Sequence, residues 1–500
     1  MKVLSKSLYL NFHCPRLLWL SANTPAVIPL PSETDLYRMA EGKKVEKLAQ
    51  RLFDQYQYRH ENEFEAMAAE AEKDLHNPDS GDVFFNVVAK SGRLVAEIDI
   101  LHTTRDHLLN IYEVKSSSEV KPEYLHDIAF QRFVAQKAGL DIGECALITL
   151  NSKYLRQGSV DVSSGQGLFK ITDVSGEVDD LMPSTAKNIT EALRIIDLPS
   201  PPDTPIGLKC KDCPLADSPD GCFSHILAEP CNPFTLYRIP SKRAWGWYGQ
   251  GILKNSDIPI DYPLTEKQKI QIKAERTGKP YINKGAVSDF IGRLSYPLYY
   301  LDFETIAPAI PLLQNSSPYQ QIPFQFSLHI QTAPNQNPCQ IAHHSWIWDG
   351  DGDPRLELLN RLAGLLGTAG SIIVYSAQFE RMILRQAMKI SPEHTDWLTG
   401  ILDRFIDLLE PFRSFSYYHP AQKGSASIKD VLPALTGKSY ETMDISNGKM
   451  ASTEYMRVMF GAGKDDRDKV ISQLEEYCGL DTMGMVEIVG RLRGMKVKVV

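Results

Sequence analysis

Three groups of side chains have the types and spacing to do chemistry. The first is Asp99 with Glu113 and Lys115, inside RLVAEIDILHTTRDHLLNIYEVKSSS, Arg93 to Ser118. Two apolar runs flank a polar connection there, which predicts a hairpin. Alternate strand residues face opposite sides, so Leu94, Ala96, Ile98 and Ile100 share one face and Asp99 lies on the other. On the returning strand Glu113 and Lys115 share a face. Two carboxylates at one spot can hold Mg²⁺, which polarises a phosphate and acidifies a bound water. A lysine beside them can orient that water or stabilise developing negative charge. The same trio also fits a solvated hairpin face with an ordinary cross-strand ion pair.

The second group is spread along the chain. YYLDFET puts Asp302 and Glu304 on one face of a strand. EEYCGLDTMGMVEIV has a helical pattern, with Tyr477 and Asp481 four apart on one face. Between them VYSAQFERMILRQ reads as a strand end and a helix carrying Glu380, with Asp407 of FIDLLEP as an alternative. Four carboxylates gathered from distant segments can hold two divalent cations about 4 Å apart, clamping both oxygens of a phosphodiester displacement. Tyr477 would orient or help deprotonate the water. The third group is Cys210, Cys213 and Cys222 in KCKDCPLADSPDGC. Thiolate metal sites usually have four ligands, so a fourth is expected elsewhere. Cys231 lies close enough in sequence to compete for the last position, and four thiolates also suit zinc. Cys145, Cys339 and Cys478 read as core residues.

The elements that must position these groups are legible in part. Gly42–Tyr56 has helical periodicity through Val45, Leu48, Ala49 and Leu52. A helix is expected over His126–Gly139 and a strand over Glu144–Asn151. From Cys231 to Leu294 periodicity is poor, and the stretch reads as a connector with some helix, such as Thr265–Glu275. A second ordered region begins near Tyr296, with strands at Phe324–Ile330, His343–Trp348 and SIIVY, and a helix at Arg355–Leu366. This order predicts an α/β class with helices packed on mixed sheets.

Composition narrows the function. The 500 residues are 43% hydrophobic and 23% charged, enough for two or more domains with their own cores. A net charge of -8 excludes a simple basic nucleic-acid coat, but not a nuclease that collects carboxylates around cations. No run of about 18 apolar residues predicts a membrane span. The opening MKVLSKSLYLNFHCPRLLWL is broken by Asn11, His13 and Arg16 and falls short of a signal peptide. A cytoplasmic location is expected, with the eight cysteines reduced, buried or metal-bound.

With Asp99, Glu113 and Lys115 in a hairpin, the first region resembles the RecB-type PD-(D/E)xK nucleases. The resemblance assigns Glu46, on the early helix with Gly42, to the place of a metal-binding residue. It assigns Gln131 to the first position of a QxxxY motif, where Ala135 departs from the tyrosine. A subgroup that includes CRISPR-associated and AddB-type enzymes carries a 4Fe-4S cluster, with one cysteine before the nuclease core and three after. That implies Cys14 as fourth ligand with Cys210, Cys213 and Cys222, and Arg16 and Trp19 as cluster support. DFE, Glu380 and Tyr477-x3-Asp481 resemble the DEDDy branch of the DnaQ-like exonucleases of RNase H-like fold, which implies removal of nucleotides from 3′ ends with Mg²⁺ or Mn²⁺. Glu380 departs from the usual aspartate. The whole resembles a bacterial family joining both parts: a restriction-endonuclease-like nuclease domain over 1–230, a connector over 231–294 and an exonuclease-like domain over 295–490. The implied partner is DNA, or RNA, single-stranded or with free ends, and not a membrane. The alternative reading is a non-catalytic or partly degenerate nucleic-acid-binding module. His419, Lys423 and Lys429, among Tyr417 and Tyr418, suit a grip on a strand end, although an ordinary polar loop fits slightly better.

Overall fold

The computed structural model describes residues 2–53, 58–59, 81–207, 210, 213–216, 218, 221–259, 261–461 and 463–495, in a mixed α/β arrangement. The chain divides into two units: Met1–Cys222 with Pro308–Gln320, and Phe223–Ala307 with Gln321–Val500. Residues 231–294, expected as a connector, therefore fall within the second unit. Among the described residues no helix is long and apolar enough to cross a membrane.

The first unit is built on β1 (Leu4–Ser5), β2 (Tyr58–Arg59), β3 (Val83–Ser91), β4 (Leu94–Thr103), β5 (Leu109–Val114), β6 (Ile142–Leu150) and β7 (Phe169–Asp173). Their order is β2-β3-β4-β5-β6-β7, with β1 beside β4. β3, β4 and β5 are an antiparallel meander. The helix Pro122–Lys137, which begins four residues before the expected one, crosses to β6, parallel to β5. Phe130, Val134, Ile189 and Ile195 fill the core on one side, and Val45, Ala49 and Phe85 that on the other. The early helix is longer than its periodicity suggested. It runs Glu33–Gln50, started by a capping box between Ser32 and Asp35, and Tyr56 lies outside the described residues.

Strict alternation fails at one place in β4. Ile98 packs in one core and Ile100 in the other, although both were expected on one face. The pairs Phe85↔Ile100 and Val87↔Ile98 place Asp99 across from Asn86, whose φ of 53° is left-handed. That conformation interrupts the pleat beside Asp99.

The second unit has a five-stranded sheet of order β11-β10-β9-β12-β13 and a separate pair, β8 (Tyr281–Ile282) with β14 (Tyr417–Tyr418). β9 (Leu298–Ile306) is central, antiparallel to β10 (Ile322–Gln331), which pairs antiparallel with β11 (Ala342–Ile347). β12 (Ser371–Val374) runs parallel to β9 and to β13 (Phe405–Asp407). The long helix Arg467–Gly494 buries Leu474, Tyr477, Cys478, Asp481 and Met485. The expected connector holds three helices, Ser241–Gly249, Glu266–Thr277 and Lys284–Gly292, and a core of Leu236, Trp247, Ile258 and Ile272. Leu236, Ile258 and Ile272 meet Trp247 from two helices and the loops around them, so no single 3.6-residue stripe marks that core.

Candidate functional site

The hairpin group comes together in the first unit. β4–β5 register pairs Ile100 with Tyr112, and one step further brings Asp99 opposite Glu113. The Asp99 carboxylate accepts from Val114 N at 2.8 Å. Glu113 is buried at 1% exposure, and three groups donate to it. Lys115 Nζ donates to it at 2.7 Å, Lys6 Nζ at 3.0 Å and Gln131 Nε2 at 2.7 Å. Lys115 also donates to Asp127 at 2.6 Å, and Gln131 to the same carboxylate at 3.0 Å. Glu46 approaches from the Glu33–Gln50 helix.

Electrostatics separate these carboxyls. Burial alone would raise Glu113, but Lys115, Lys6 and their hydrogen bonds outweigh it and hold the group down at about 2. Asp99 is pushed well above the usual carboxylate range, first by burial and then by Glu113's charge. Asp127 and Glu46 are raised for the same two reasons. Lys6 and Asp127 had not been found in the sequence. Asp127 stands four before Gln131, one helical turn, so that pairing was available. Lys6 is over a hundred residues from Glu113 and carried no local signal. Ala135, the departure from QxxxY, lies fully in the core.

The second group converges in the second unit. Asp302 and Glu304 lie on β9, and their cross-strand neighbours on β10 are Ser327 and Gln325. Both neighbours hold the Arg467–Gly494 helix. Gln325 Nε2 donates to Leu474 O at 2.8 Å, and Ser327 Oγ meets Thr482 Oγ1 at 2.7 Å. The helix face carrying Tyr477, Cys478 and Asp481 is thereby fixed against the two carboxylates. One carboxylate oxygen each of Asp302 and Glu304 and the Cys478 sulfur lie within 4.8 Å of one another. The Cys478 thiol donates to Asp302 at 3.6 Å. Tyr440 Oη donates to Asp481 at 2.6 Å, and Lys429 Nζ donates to Tyr477 Oη at 3.0 Å. Glu304 also faces the start of the helix Gly448–Phe460, where a Cβ on Gly448 would sit 3.4 Å from its oxygen. The positive end of that helix favours a carboxylate.

Glu380 enters from the helix Ala377–Met388, which follows β12 after Ser376 in left-handed conformation (φ 77°). It is 2% exposed, and its Oε2 has no hydrogen-bond partner among the described residues. Burial and then Asp302's charge push it well above the usual range. Asp302 and Glu304 are raised well above theirs by burial first, then by neighbouring carboxylates. Asp481 is raised to about 6 by burial, against hydrogen bonds from Tyr440 and Tyr477 and the charge of Lys429. Burial pushes the Tyr477 phenol far up, so it stays a hydrogen-bonding hydroxyl. Asp407, the alternative to Glu380, accepts from Ser376 N and Leu409 N, both at 3.0 Å, and shapes the chain end before the Glu380 helix.

Several expectations need correction. Lys429, read as part of a polar loop, sits in the first turn of the helix Ile428–Thr436 and reaches Tyr477. Tyr417 and Tyr418 are buried at 3% and 0% exposure, which leaves no ring face for a strand end. Cys478 is buried, as expected of a core residue, but belongs to the acidic group. Cys339, expected in the core, is exposed in the turn Pro338–Gln340.

The expected cluster ligands meet within the first unit. The Cys213 thiol is pushed up by burial and by the neighbouring thiols of Cys14, Cys210 and Cys222. Cys14 caps the helix Pro15–Asn23, its sulfur accepting from Leu17 N at 3.5 Å, and Cys210 Sγ accepts from Gly207 N at 3.4 Å. Lys209, Lys211, Asp212, Asp217, Pro219 and Asp220 of this segment lie outside the described residues. Cys231, the competing ligand, faces Glu275, Glu229 and Lys423 instead, and burial raises it to about 11.

Residues 299–427 match a domain of unknown function, DUF2779. That span contains Asp302, Glu304, Glu380 and Asp407 and ends before Lys429, Tyr477 and Asp481. The chain is 24% identical over 245 residues to the uncharacterized protein MG366 of Mycoplasma genitalium, covering 45% of this chain and 36% of that protein. It is 25% identical over 207 residues to the MG366 homolog of Mycoplasma pneumoniae, covering 38% of this chain and 31% of that protein. The chain thus spans about a third of the length of these relatives.

Proposed function

We propose that the protein is a metal-dependent nuclease that hydrolyses phosphodiester bonds of DNA, with its principal site at Asp302, Glu304, Glu380 and Asp481. The observation that carries this reading is the buried Glu380 oxygen that has no partner among the described residues, beside three more carboxyls and, among those residues, one ammonium group, Lys429. Buried carboxylates need compensation by charge or hydrogen bonds, and divalent cations held by these four residues would supply it. Mg²⁺ or Mn²⁺ there would acidify a water and neutralise charge on the phosphate. Tyr477, kept protonated and braced by Lys429, orients the nucleophile by hydrogen bonding. Tyr440 fixes one Asp481 oxygen and leaves the other for a cation. The central β9 flanked by antiparallel β10 and parallel β12 supports the RNase H-like, DEDDy 3′–5′ exonuclease reading.

The first unit, in this reading, is a RecB-type PD-(D/E)xK domain whose Asp99, Glu113 and Glu46 would hold Mg²⁺ or Mn²⁺, with Lys115 and Gln131 beside them. Cys14, Cys210, Cys213 and Cys222 would hold a 4Fe-4S cluster, tying the start of the domain to its end across a long loop. Four neighbouring thiols, two of them accepting backbone N–H groups, fit such a group. We place the protein in the cytoplasm. One observation favours a partly degenerate, nucleic-acid-gripping first site: Glu113 is already engaged by Lys6, Lys115 and Gln131.

The test uses end-labelled single- and double-stranded DNA with Mg²⁺ or Mn²⁺. The wild type should shorten DNA from its 3′ end, and Asp302→Asn should abolish the ladder. Asp99→Asn reports on the first site. A ladder that persists in the double variant refutes both assignments, and a wild type that binds DNA without cutting it supports the module reading.

A further inference from the structure

The stretch from Pro230 to Ser256 contains no Asp or Glu, in a chain of net charge -8. It holds Arg238, Lys242, Arg243 and Lys254 among Phe234, Tyr237, Trp245, Trp247 and Tyr248. Lys254 pairs with Glu229, while Arg238, Lys242 and Arg243 are exposed. A local cationic surface on an acidic protein selects an anionic partner.

The aromatic groups are set for such a partner. The half-buried Trp245 ring is held edgewise by Phe223, Phe234 and Tyr248, with centroids 5.4, 4.5 and 5.6 Å away and planes 63° to 86° apart. Tyr248 is bonded in turn to His225 at 2.8 Å. These contacts fix the Trp245 orientation before any ligand arrives. Lys242 lies one helical turn before Trp245 on the helix Ser241–Gly249, so the ammonium and the ring share a face.

Two glycines complete the surface. Gly246 and Gly249 are exposed, have no left-handed φ, and a Cβ on either would meet nothing within 4 Å. Neither internal packing nor backbone conformation asks for glycine there, and glycine disfavours a helix. What their bareness permits is close approach from outside, next to the Trp245 ring.

We propose that the Ser241–Gly249 helix with Phe234 and Trp245 is a binding platform for single-stranded nucleic acid. A base stacks on Trp245, and a phosphate faces Lys242. Aromatic rings stack on every base, and cations track the backbone, so the platform reads strandedness rather than sequence. This platform is separate from the acidic sites. A chain that binds strands and never cuts them would refute the nuclease reading and leave this one standing.

The test is fluorescence anisotropy of a labelled oligothymidine of about 12 nucleotides, with the full-length protein in EDTA so that no cutting occurs. Trp245→Ala should weaken binding by about 5- to 100-fold, and Trp245→Phe should retain most of it. Lys242→Glu should lower affinity and flatten its salt dependence. Gly246→Gln is the sharper variant, since it suits the helix better than glycine. It should leave the melting temperature unchanged or higher while weakening binding about tenfold. If Trp245→Ala fails to fold, Gly246→Gln decides alone. The proposal is overturned if wild-type protein does not bind the oligonucleotide, if it binds a duplex of equal length as tightly, or if Gly246→Gln binds like wild type.

Discussion

Around Glu113 four carboxyls, Glu46, Asp99, Glu113 and Asp127, face two ammonium groups, Lys6 and Lys115. Around Asp302 four carboxyls, Asp302, Glu304, Glu380 and Asp481, are grouped with one ammonium among the described residues, Lys429. The consequences diverge at Glu113, while Asp99, Asp127 and Glu46 are raised as the second-site carboxyls are. In the first unit the lysines hold Glu113 ionised, and the site is close to a finished buried ion network. In the second, burial first and then neighbouring carboxylates push the carboxyls toward protonation, and one oxygen of Glu380 has no partner among the described residues. Residue types alone make both sites candidate cation traps. Charge balance, rather than residue type, distinguishes the two sites.

The comparison can be broken most forcefully at the second site. On the proposed reading Asp302→Asn and Asp481→Asn each remove a cation ligand and should lower cleavage on the order of 10³-fold, measured as single-turnover cleavage of labelled DNA. The same chemical change at the first site should appear mainly as lost stability. Glu113→Gln leaves Lys6 and Lys115 with Asp127 and a neutral amide, and urea unfolding should report a loss of about 3 kcal/mol. Asp302→Asn should do the reverse in EDTA and stabilise the protein by about 1 kcal/mol, because it relieves buried like-charge repulsion.

A pH series sharpens the same contrast. Asp481 has a folded-state pKa of about 6, above its unfolded 3.8. The folded state therefore binds the extra proton, and its stabilising effect is complete below 3.8 and lost as pH rises through 6. Metal-free protein should lose on the order of 1–3 kcal/mol across that window, less in Asp481→Asn, by urea unfolding at each pH. Glu113 has the opposite sign. Its pKa falls from 4.5 to about 2, so its contribution is present above 4.5 and lost only as pH drops toward 2. The smallest effect is expected at Tyr477. Tyr477→Phe should slow cleavage about tenfold, since the hydroxyl orients and transfers no proton.

How much of this was legible in the sequence depended on distance along the chain. Asp302 with Glu304, and Tyr477 with Asp481, are close pairs whose spacing fixes a shared face, and those faces meet in the structure. Asp99 and Glu113 belong to one hairpin and were equally readable. Partners joined only by the fold were not. Lys6 has no sequence relation to Glu113, and Lys429 is far from Tyr477. The break in alternation at Asp99 depends on Asn86 in another strand, and no property of β4 alone announces it. The core of residues 231–294 has no periodic signal because single apolar residues from separate loops and helices, Leu236, Trp247, Ile258 and Ile272, build it. Cys478 shows the converse, a residue correctly expected to be buried whose neighbours make it more than packing.

Thermal unfolding of metal-stripped protein against added Mn²⁺ tests the central claim most directly, comparing wild type with Asp302→Asn and Asp99→Asn. Binding to the folded state alone raises stability by about 2.7 kcal/mol at a hundredfold excess over Kd. The account predicts that Mn²⁺ raises the melting temperature of wild type and Asp99→Asn substantially, and that of Asp302→Asn far less. Equal stabilisation of wild type and Asp302→Asn, or no effect of Mn²⁺ on wild type, would contradict it.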